Sequence, residues 1–276
     1  MEPTAQNLPG QSENRLRLNS HPERIVCITE ESVETLYLLG REHLIVGVSS
    51  FVRRPPESRN LPKVSSFIKS DIDKIRELQP DLILGFSDIQ KDIARDLVEA
   101  GFNVFIANHR TINETLSYIL WLGRLVGAAP EAEKLVAGYQ QKILAAQKKS
   151  QGLARRPKVY FEEWNDPMIS AITWVSELIE ICGGDEVFAD LRGGVLASER
   201  IVKPEDVIAA SPDFIFGCWC GKKVKIGEIT SRPGFSGLPA VTQERVFELE
   251  PEIFLQPGPA LFEDGIDILL DYFAPE

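Results

Sequence analysis

Asp71-Ile-Asp-Lys-Ile-Arg-Glu-Leu-Gln-Pro-Asp-Leu-Ile-Leu84 is matched in kind by Lys203-Pro-Glu-Asp-Val-Ile-Ala-Ala-Ser-Pro-Asp-Phe-Ile-Phe216. Each stretch is a capped helix that ends at x-Pro-Asp and runs into an apolar strand. Meeting the pattern once in each half implies two like lobes. The plainer alternative is a common helix-to-strand connection used twice.

Outward from these stretches, strands and helices alternate. Ile25–Ile28, Leu44–Val48, Asp81–Gly85 and Asn103–Ala107 read as strands, with helices over Glu31–Leu39, Asp71–Leu78 and Ile89–Ala100. The rhythm implies a mainly parallel sheet covered on both faces. It stops between Thr111 and Ser150, where apolar residues recur at helical spacing and Gly127-Ala-Ala-Pro130 marks a joint. Trp121 falls among those residues and is expected to be structural. The alternation resumes with strand Lys158–Phe161, helix Trp174–Ile181, helix Pro204–Ala209, strand Asp213–Phe216, strand Val246–Leu249 and a terminal helix Gly265–Phe273. The expected organisation is a disordered leader (1–23), an N-terminal α/β lobe (24–110), a linking helical segment (111–154) and a C-terminal α/β lobe (155–276).

The bulk composition narrows the function. A formal net charge of -11 opposes a nucleic-acid backbone or an anionic membrane as the main partner. No apolar run approaches the roughly 18 residues that span a bilayer, so membrane insertion is not expected. Residues 1–23 are polar and lack an apolar signal core. The protein is therefore expected either in the cytoplasm or with its leader removed. With 4 cysteines, Cys27 and Cys182 in apolar segments and Cys218 and Cys220 too close for a relaxed disulfide, a reducing compartment fits best.

Tyr160-Phe-Glu-Glu-Trp-Asn-Asp-Pro167 carries the densest chemistry: a strand that breaks at an aromatic, acidic corner. Such corners sit where open α/β sheets present ligands. Trp164 and Trp219 are expected to stack on a flat ligand, and Trp174 either does the same or only opens a helix. Cys218-Trp-Cys220 beside Lys222 and Lys223 is a candidate soft-metal pair, with His109 and Glu163 able to complete a mixed set; two inert thiols are the plainer reading. Glu162, Glu163, Asp166 and His109 could do acid–base work, but no Gly-rich phosphate loop, GxSxG or HExxH accompanies them, so no catalytic residue and no enzyme activity are expected.

Arg24-Ile-Val-Cys-Ile-Thr-Glu-Glu-Ser-Val-Glu-Thr-Leu-Tyr-Leu-Leu-Gly40, Ile45-Val-Gly-Val-Ser49, Pro55-Pro56, Leu61-Pro-Lys-Val64 and Leu78-Gln-Pro-Asp-Leu-Ile-Leu84 resemble the N-lobe of helical-backbone (class III) substrate-binding proteins of ABC importers. Trp174 to Asp190 resembles the C-lobe element of the cobalamin-binding members, and Pro233-Gly-Phe235, Arg245-Val-Phe247 and Gln256-Pro-Gly-Pro259 resemble the closing segment. The resemblance implies two Rossmann-like α/β lobes joined by a long helix, with a bulky metal chelate, cobalamin or a related corrinoid, between them. It implies no cofactor beyond that cargo, a monomer, a periplasmic location, and an ABC permease docked by Asp73 and Glu205. Asp73 replaces the more usual glutamate and has a shorter reach. The implied ligand contacts are Glu30, Phe51, Phe67, Phe86, His109, Glu163, Trp164, Trp174 and Trp219. The competing expectation is a cytoplasmic carrier or sensor of a metal or metal chelate, built on Cys218 and Cys220 and uncoupled from a permease.

Overall fold

Short apolar runs become the inner strands of two separate parallel sheets in the structure, a computed structural model that describes residues 20–66 and 69–274. The first sheet holds β1 (Ile25–Cys27), β2 (Ile45–Ser49), β3 (Lys63–Ser65), β4 (Leu82–Phe86) and β5 (Val104–Ala107), in the order β3-β2-β1-β4-β5. The second half contributes β6 (Lys158–Glu162), β7 (Trp164–Asn165), β8 (Met168–Ile169), β9 (Asp185–Glu186), β10 (Phe214–Gly217) and β11 (Val246–Glu248). Its parallel sheet runs β11-β10-β6-β9, while β7 and β8 form a small antiparallel hairpin pairing Trp164 with Ile169. Ile25, Val26 and Cys27 on β1 are all fully buried, as are Val159, Tyr160 and Phe161 on β6. Central strands of a parallel sheet lie under helices on both faces, so continuous apolar runs suit them better than alternation does.

The two helix-Pro-Asp-strand stretches fold alike. Helices Ile72–Glu77 and Pro204–Ala210 each lead into a strand, β4 and β10 respectively. Asp81 and Asp213, the aspartates of the pattern, act in the same way, accepting backbone N–H groups at the start of the first strand of their own lobe. Asp81 receives Glu23 and Arg24, and Asp213 receives Lys158.

Between the lobes, helix Ile112–Leu125 starts at a reciprocal capping box of Thr111 and Glu114 and packs against helix Ala129–Ser150. The longer helix has 22 residues, a strut of roughly 33 Å at about 1.5 Å per residue. The joint falls at Gly127, whose φ of 67° suits glycine. Trp121 departs from expectation. The buried stripe of its helix runs through Ile112, Leu116, Ile119 and Leu122, and Trp121 lies off it, 54% exposed. No described helix is long and apolar enough to cross a membrane.

The closing segment stitches the halves together. Trp174 Nε1 donates to the Phe254 carbonyl at 2.8 Å, Arg54 reaches Asp264 at 2.6 Å, and Tyr139 donates to Glu263 at 2.6 Å. One π-helical turn, Leu261–Gly265, precedes the terminal helix Ile266–Phe273.

Candidate ligand cleft between the lobes

In the first sheet the chain order reverses between β1 and β4; in the second, between β6 and β10. Loops leaving strand ends at such points diverge and open a crevice. The residues there are Thr29–Glu31 and Phe86–Asp88 on one lobe, and Glu163–Trp164 and Cys218–Cys220 on the other.

On the first lobe Glu30 opens helix Glu30–Leu38, half-buried, and burial pushes its carboxyl up to about 7 against a weaker pull from Arg53. Glu31 is 1% exposed; burial raises it to about 8, while the Thr29 hydroxyl donates to one oxygen and the other has no partner. Phe86 is partly buried, edge-on to His109 at 5.0 Å and to Trp174 of the other lobe at 6.2 Å. Arg110 lies over the Phe86 ring, 5.3 Å from its centroid, and its Nη2 donates to Asp88 at 2.5 Å. Phe51 is 42% exposed. Phe67 lies outside the described residues.

His109 is not open to a ligand. It is 4% exposed, Nε2 donates to the Pro257 carbonyl at 2.7 Å, and the ring stacks on Tyr118 at 4.5 Å. Burial lowers its pKa to about 4, so the ring is neutral near pH 7. Gly258 follows in the same closing segment; a Cβ there would lie 2.6 Å from Glu31 Cβ, so glycine lets this segment lie directly on the first lobe.

The second lobe's floor is Glu162, fully buried at the end of β6. Arg232 grips both its oxygens, the Trp219 indole N–H donates to Oε1 at 3.0 Å, and the Tyr160 hydroxyl donates to Oε2 at 3.0 Å. Trp219 is thereby a buried wall at 1% exposure rather than a stacking face, because its N–H is drawn inward. Trp174, at 2% exposure, is inter-lobe core, held by the Phe254 carbonyl; it too offers no face to a ligand. Trp164 stays accessible. Lys222 Nζ sits 3.9 Å from its ring centroid and donates to Asn165 at 2.5 Å. Glu163 accepts from Arg200 Nη1 at 2.6 Å, and the same nitrogen donates to the Ser170 carbonyl at 2.5 Å.

The cysteine pair is split by its strand-end geometry. Cys218 is fully buried in the main core, and burial holds its thiol well above the ordinary value. Cys220 is exposed, its thiol raised by the surrounding protein and then by Glu163 and Glu30. Lys222 and Lys223 therefore do not activate these thiols. Among the described residues no group of three or more His, Cys, Asp or Glu could hold a metal ion, and the expected mixed metal set fails because His109 is bound elsewhere. The charge of Glu30, from the other lobe, adds to the rise of the Cys220 thiol, and that of Arg200 adds to the lowering of Arg110, so charges act across the crevice.

Sequence reasoning missed Arg110, Arg200 and Arg232. The available signal was position for Arg110, which follows β5 by three residues; Arg200 closes the short turn Ala197–Arg200, which no strand announces. Asp73 and Glu205 are exposed in the first turns of matching helices; the Asp73 side chain is 92% exposed and pairs with Arg76 one turn along.

The profile of the family described as "Periplasmic binding protein" matches residues 25–253. A Bacillus subtilis protein named as an uncharacterized ABC transporter substrate-binding lipoprotein is 25% identical over 96% of this chain and 84% of its own. A vitamin B12-binding protein of Vibrio cholerae is 26% identical over 70% of each chain. Among solved structures, the periplasmic heme-binding protein RhuT of Roseiflexus sp. RS-1 superposes with a TM-score of 0.77 at 24% identity, covering 91% of this chain and 99% of that one. The periplasmic vitamin B12-binding protein of Vibrio cholerae does so at 0.73 and 23%, covering 91% and 96%. Two parallel-sheet lobes, the helical strut and the family match lead to one assignment: this chain belongs to the periplasmic binding protein family, as a substrate-binding protein of the ABC-transporter type.

Proposed function

We propose that the cleft captures cobalamin or a closely related corrinoid for delivery to an ABC permease. The observation that carries this reading is the composition of the strand ends at the crevice: an accessible aromatic side chain on each lobe, Phe51 and Trp164, together with hydrogen-bonding groups, Glu30, Asp88 and Arg110 on the first lobe and Glu163, Arg200 and Cys220 on the second. A flat macrocycle buries well against aromatic rings, and its polar rim needs donors and acceptors at the edge. Beside this crevice a cavity of about 290 Å³ lies between Arg53, Arg54 and Arg59 of the first lobe and Glu250 and Glu252 of the second.

A corrinoid suits the site better than haem for a further reason. Haem iron is usually held by a protein His, Tyr, Met or thiolate. His109 is bound to Pro257 and Tyr118, Tyr118 is buried, and Cys220 has a raised thiol pKa. Cobalamin carries its own axial base. Location outside the inner membrane follows from this reading, as for the relatives named periplasmic. Asp73 and Glu205 serve as the two permease contacts, one per lobe.

The test is titration of purified protein with cyanocobalamin and with haemin, followed by visible spectra and calorimetry. Saturable one-to-one uptake of cobalamin, with haemin at least about 10-fold weaker, is expected. Absence of heat and spectral change with cobalamin ends the proposal. Charge reversal at Asp73 and Glu205 together should abolish permease stimulation while leaving ligand affinity unchanged.

A further inference from the structure

The cavity of about 290 Å³ beside the crevice joins the two lobes through charged side chains. Arg53, Arg54 and Arg59, which follow β2, and Glu34 of helix Glu30–Leu38 form its first wall; Glu250 and Glu252, which follow β11, form its second. Glu34 stands one helical turn beyond Glu30, so the cavity adjoins the crevice along that helix. Three guanidiniums and three carboxylates line the space, and their formal charges cancel. Arg54 is already committed, donating from Nε to Glu34 at 2.9 Å and from Nη2 to Asp264 at 2.6 Å. Arg53 and Arg59 are anchored by carbonyls: Arg53 Nη1 donates to Ser50 and Val52 at 3.1 and 3.3 Å, and Arg59 Nε to Arg53 at 3.1 Å. Among the described residues neither arginine forms an ion pair, and neither does Glu250 or Glu252. Two guanidiniums and two carboxylates thus border one space without neutralising one another. Both walls are stiff. Pro55 and Pro56 fix the turn after Arg54, and the buried Ser58 hydroxyl donates to the Pro55 carbonyl at 2.6 Å. On the other side the Glu250 carbonyl accepts the Ile253 and Phe254 N–H groups at 3.0 and 3.2 Å.

Size and charge balance together say what fits. The volume lies at the lower end of ligand pockets, about 300–1,000 Å³, and suits an arm of a ligand rather than a whole macrocycle. An anionic arm gains from Arg53 and Arg59 but meets Glu250 and Glu252, and a cationic arm does the reverse. A primary carboxamide satisfies both walls, because its carbonyl accepts from guanidinium N–H groups while its two N–H groups donate to carboxylates. Each such bond has one charged partner and is stronger than a neutral pair. We propose that the cavity between Arg53 and Arg59 of the first lobe and Glu250 and Glu252 of the second is a cross-lobe subsite for a neutral primary carboxamide arm of the cargo. This deepens the corrinoid reading and rests on it: the corrin rim carries propionamide and acetamide arms, whereas haem carries propionates.

The experiment titrates cyanocobalamin and its b-, d- and e-monocarboxylic acids, in each of which one propionamide is replaced by a propionate. Wild type and Glu250→Gln/Glu252→Gln are compared. Wild type should bind at least one of the acids about 10-fold more weakly than cyanocobalamin, and at least one other within about 3-fold, since a single arm enters the cavity. In the double variant the glutamine amides can donate to a propionate, so the disfavoured acid should come within about 3-fold of cyanocobalamin. Equal affinity of wild type for cyanocobalamin and all the acids overturns the subsite and leaves the cargo reading intact. Weakening of every ligand by the same factor in the variant also overturns it, because the two glutamates then hold the lobes together rather than read the arm. Should the double variant melt early, Glu250→Gln and Glu252→Gln are read singly by the same criteria. Uptake of haemin without cobalamin ends the cargo reading; the subsite then stands if the bis-propionamide of haemin binds more tightly than haemin, and falls if it does not. No uptake of either overturns both.

Discussion

The two lobes place carboxylates at corresponding strand ends and treat them in opposite ways. Glu162, at the end of β6, is enclosed by Arg232, Trp219 and Tyr160, so both oxygens are filled. Glu31, just past β1, is as deeply buried but has only the Thr29 hydroxyl and one empty oxygen. One lobe thus anchors its cleft with a complete ionic and hydrogen-bonded set, while the other keeps a carboxyl that is neutral near pH 7. Burial is the same; what differs is whether a cation was supplied.

The sharpest way to break this contrast is Glu162→Ala. It leaves the enclosed Arg232 without its counter-ion and the Trp219 N–H without an acceptor, and should cost about 3–5 kcal/mol in denaturant unfolding. A loss below about 1 kcal/mol would make the two carboxylates equivalent. By contrast, Glu31→Gln should be nearly neutral or stabilising at pH 8, since it replaces an unfavourable charge by a neutral group of the same shape.

Within the first lobe, Glu31 and His109 set opposite demands on pH. Glu31 rises from 4.5 to about 8 on folding, so its contribution is fully present below pH about 4.5, falls as pH rises, and is gone above about 8. The effect amounts to a few kcal/mol at most, because each tenfold change in proton affinity is worth about 1.4 kcal/mol. His109, lowered from 6.5 to about 4, works the other way: it contributes above pH 6.5 and loses that contribution as pH falls towards 4. Glu31 has the larger displacement and no charge partner, so melting temperatures between pH 5 and 8 should fall in wild type and fall less steeply in Glu31→Gln, where Glu30 and Glu186, each raised to about 7, still titrate. An unchanged slope would show that Glu31 is ionised in the fold.

Smaller effects refine the comparison within the second lobe. Trp164→Ala should weaken ligand binding by about 10-fold, in line with 1–1.5 kcal/mol for an exposed aromatic contact, with little change in melting. Trp219→Ala should do the reverse and lose about 3–5 kcal/mol of stability. Finally, a thiol reagent should label Cys220 in the native protein well before Cys27, Cys182 and Cys218, all of which are fully buried. Equal labelling of Cys218 would place it on the surface.

Strands β1, β2, β4, β5, β6, β10 and β11 were legible because apolar runs between turn signals have few other uses in a chain of this rhythm. The helix-Pro-Asp-strand stretches likewise announced both sheets. Short strands escaped: β9 has two residues, Asp185 and Glu186, and owes its state to β6 beside it rather than to propensity. At the site, residue type was read more easily than direction. Trp164, Trp174 and Trp219 look alike in sequence, yet only Trp164 stays outside the core, because acceptors at Phe254 and Glu162 draw the other two inward.

Lys222 on Trp164 carries a last consequence, for kinetics. The accessible indole is already covered by an ammonium held by Asn165, so an arriving macrocycle meets an occupied face. Exchange of occupants makes capture a two-step process, in which the lysine must swing away before the ring settles. The observed association rate should level off at high ligand concentration, and Lys222→Ala should restore a linear dependence.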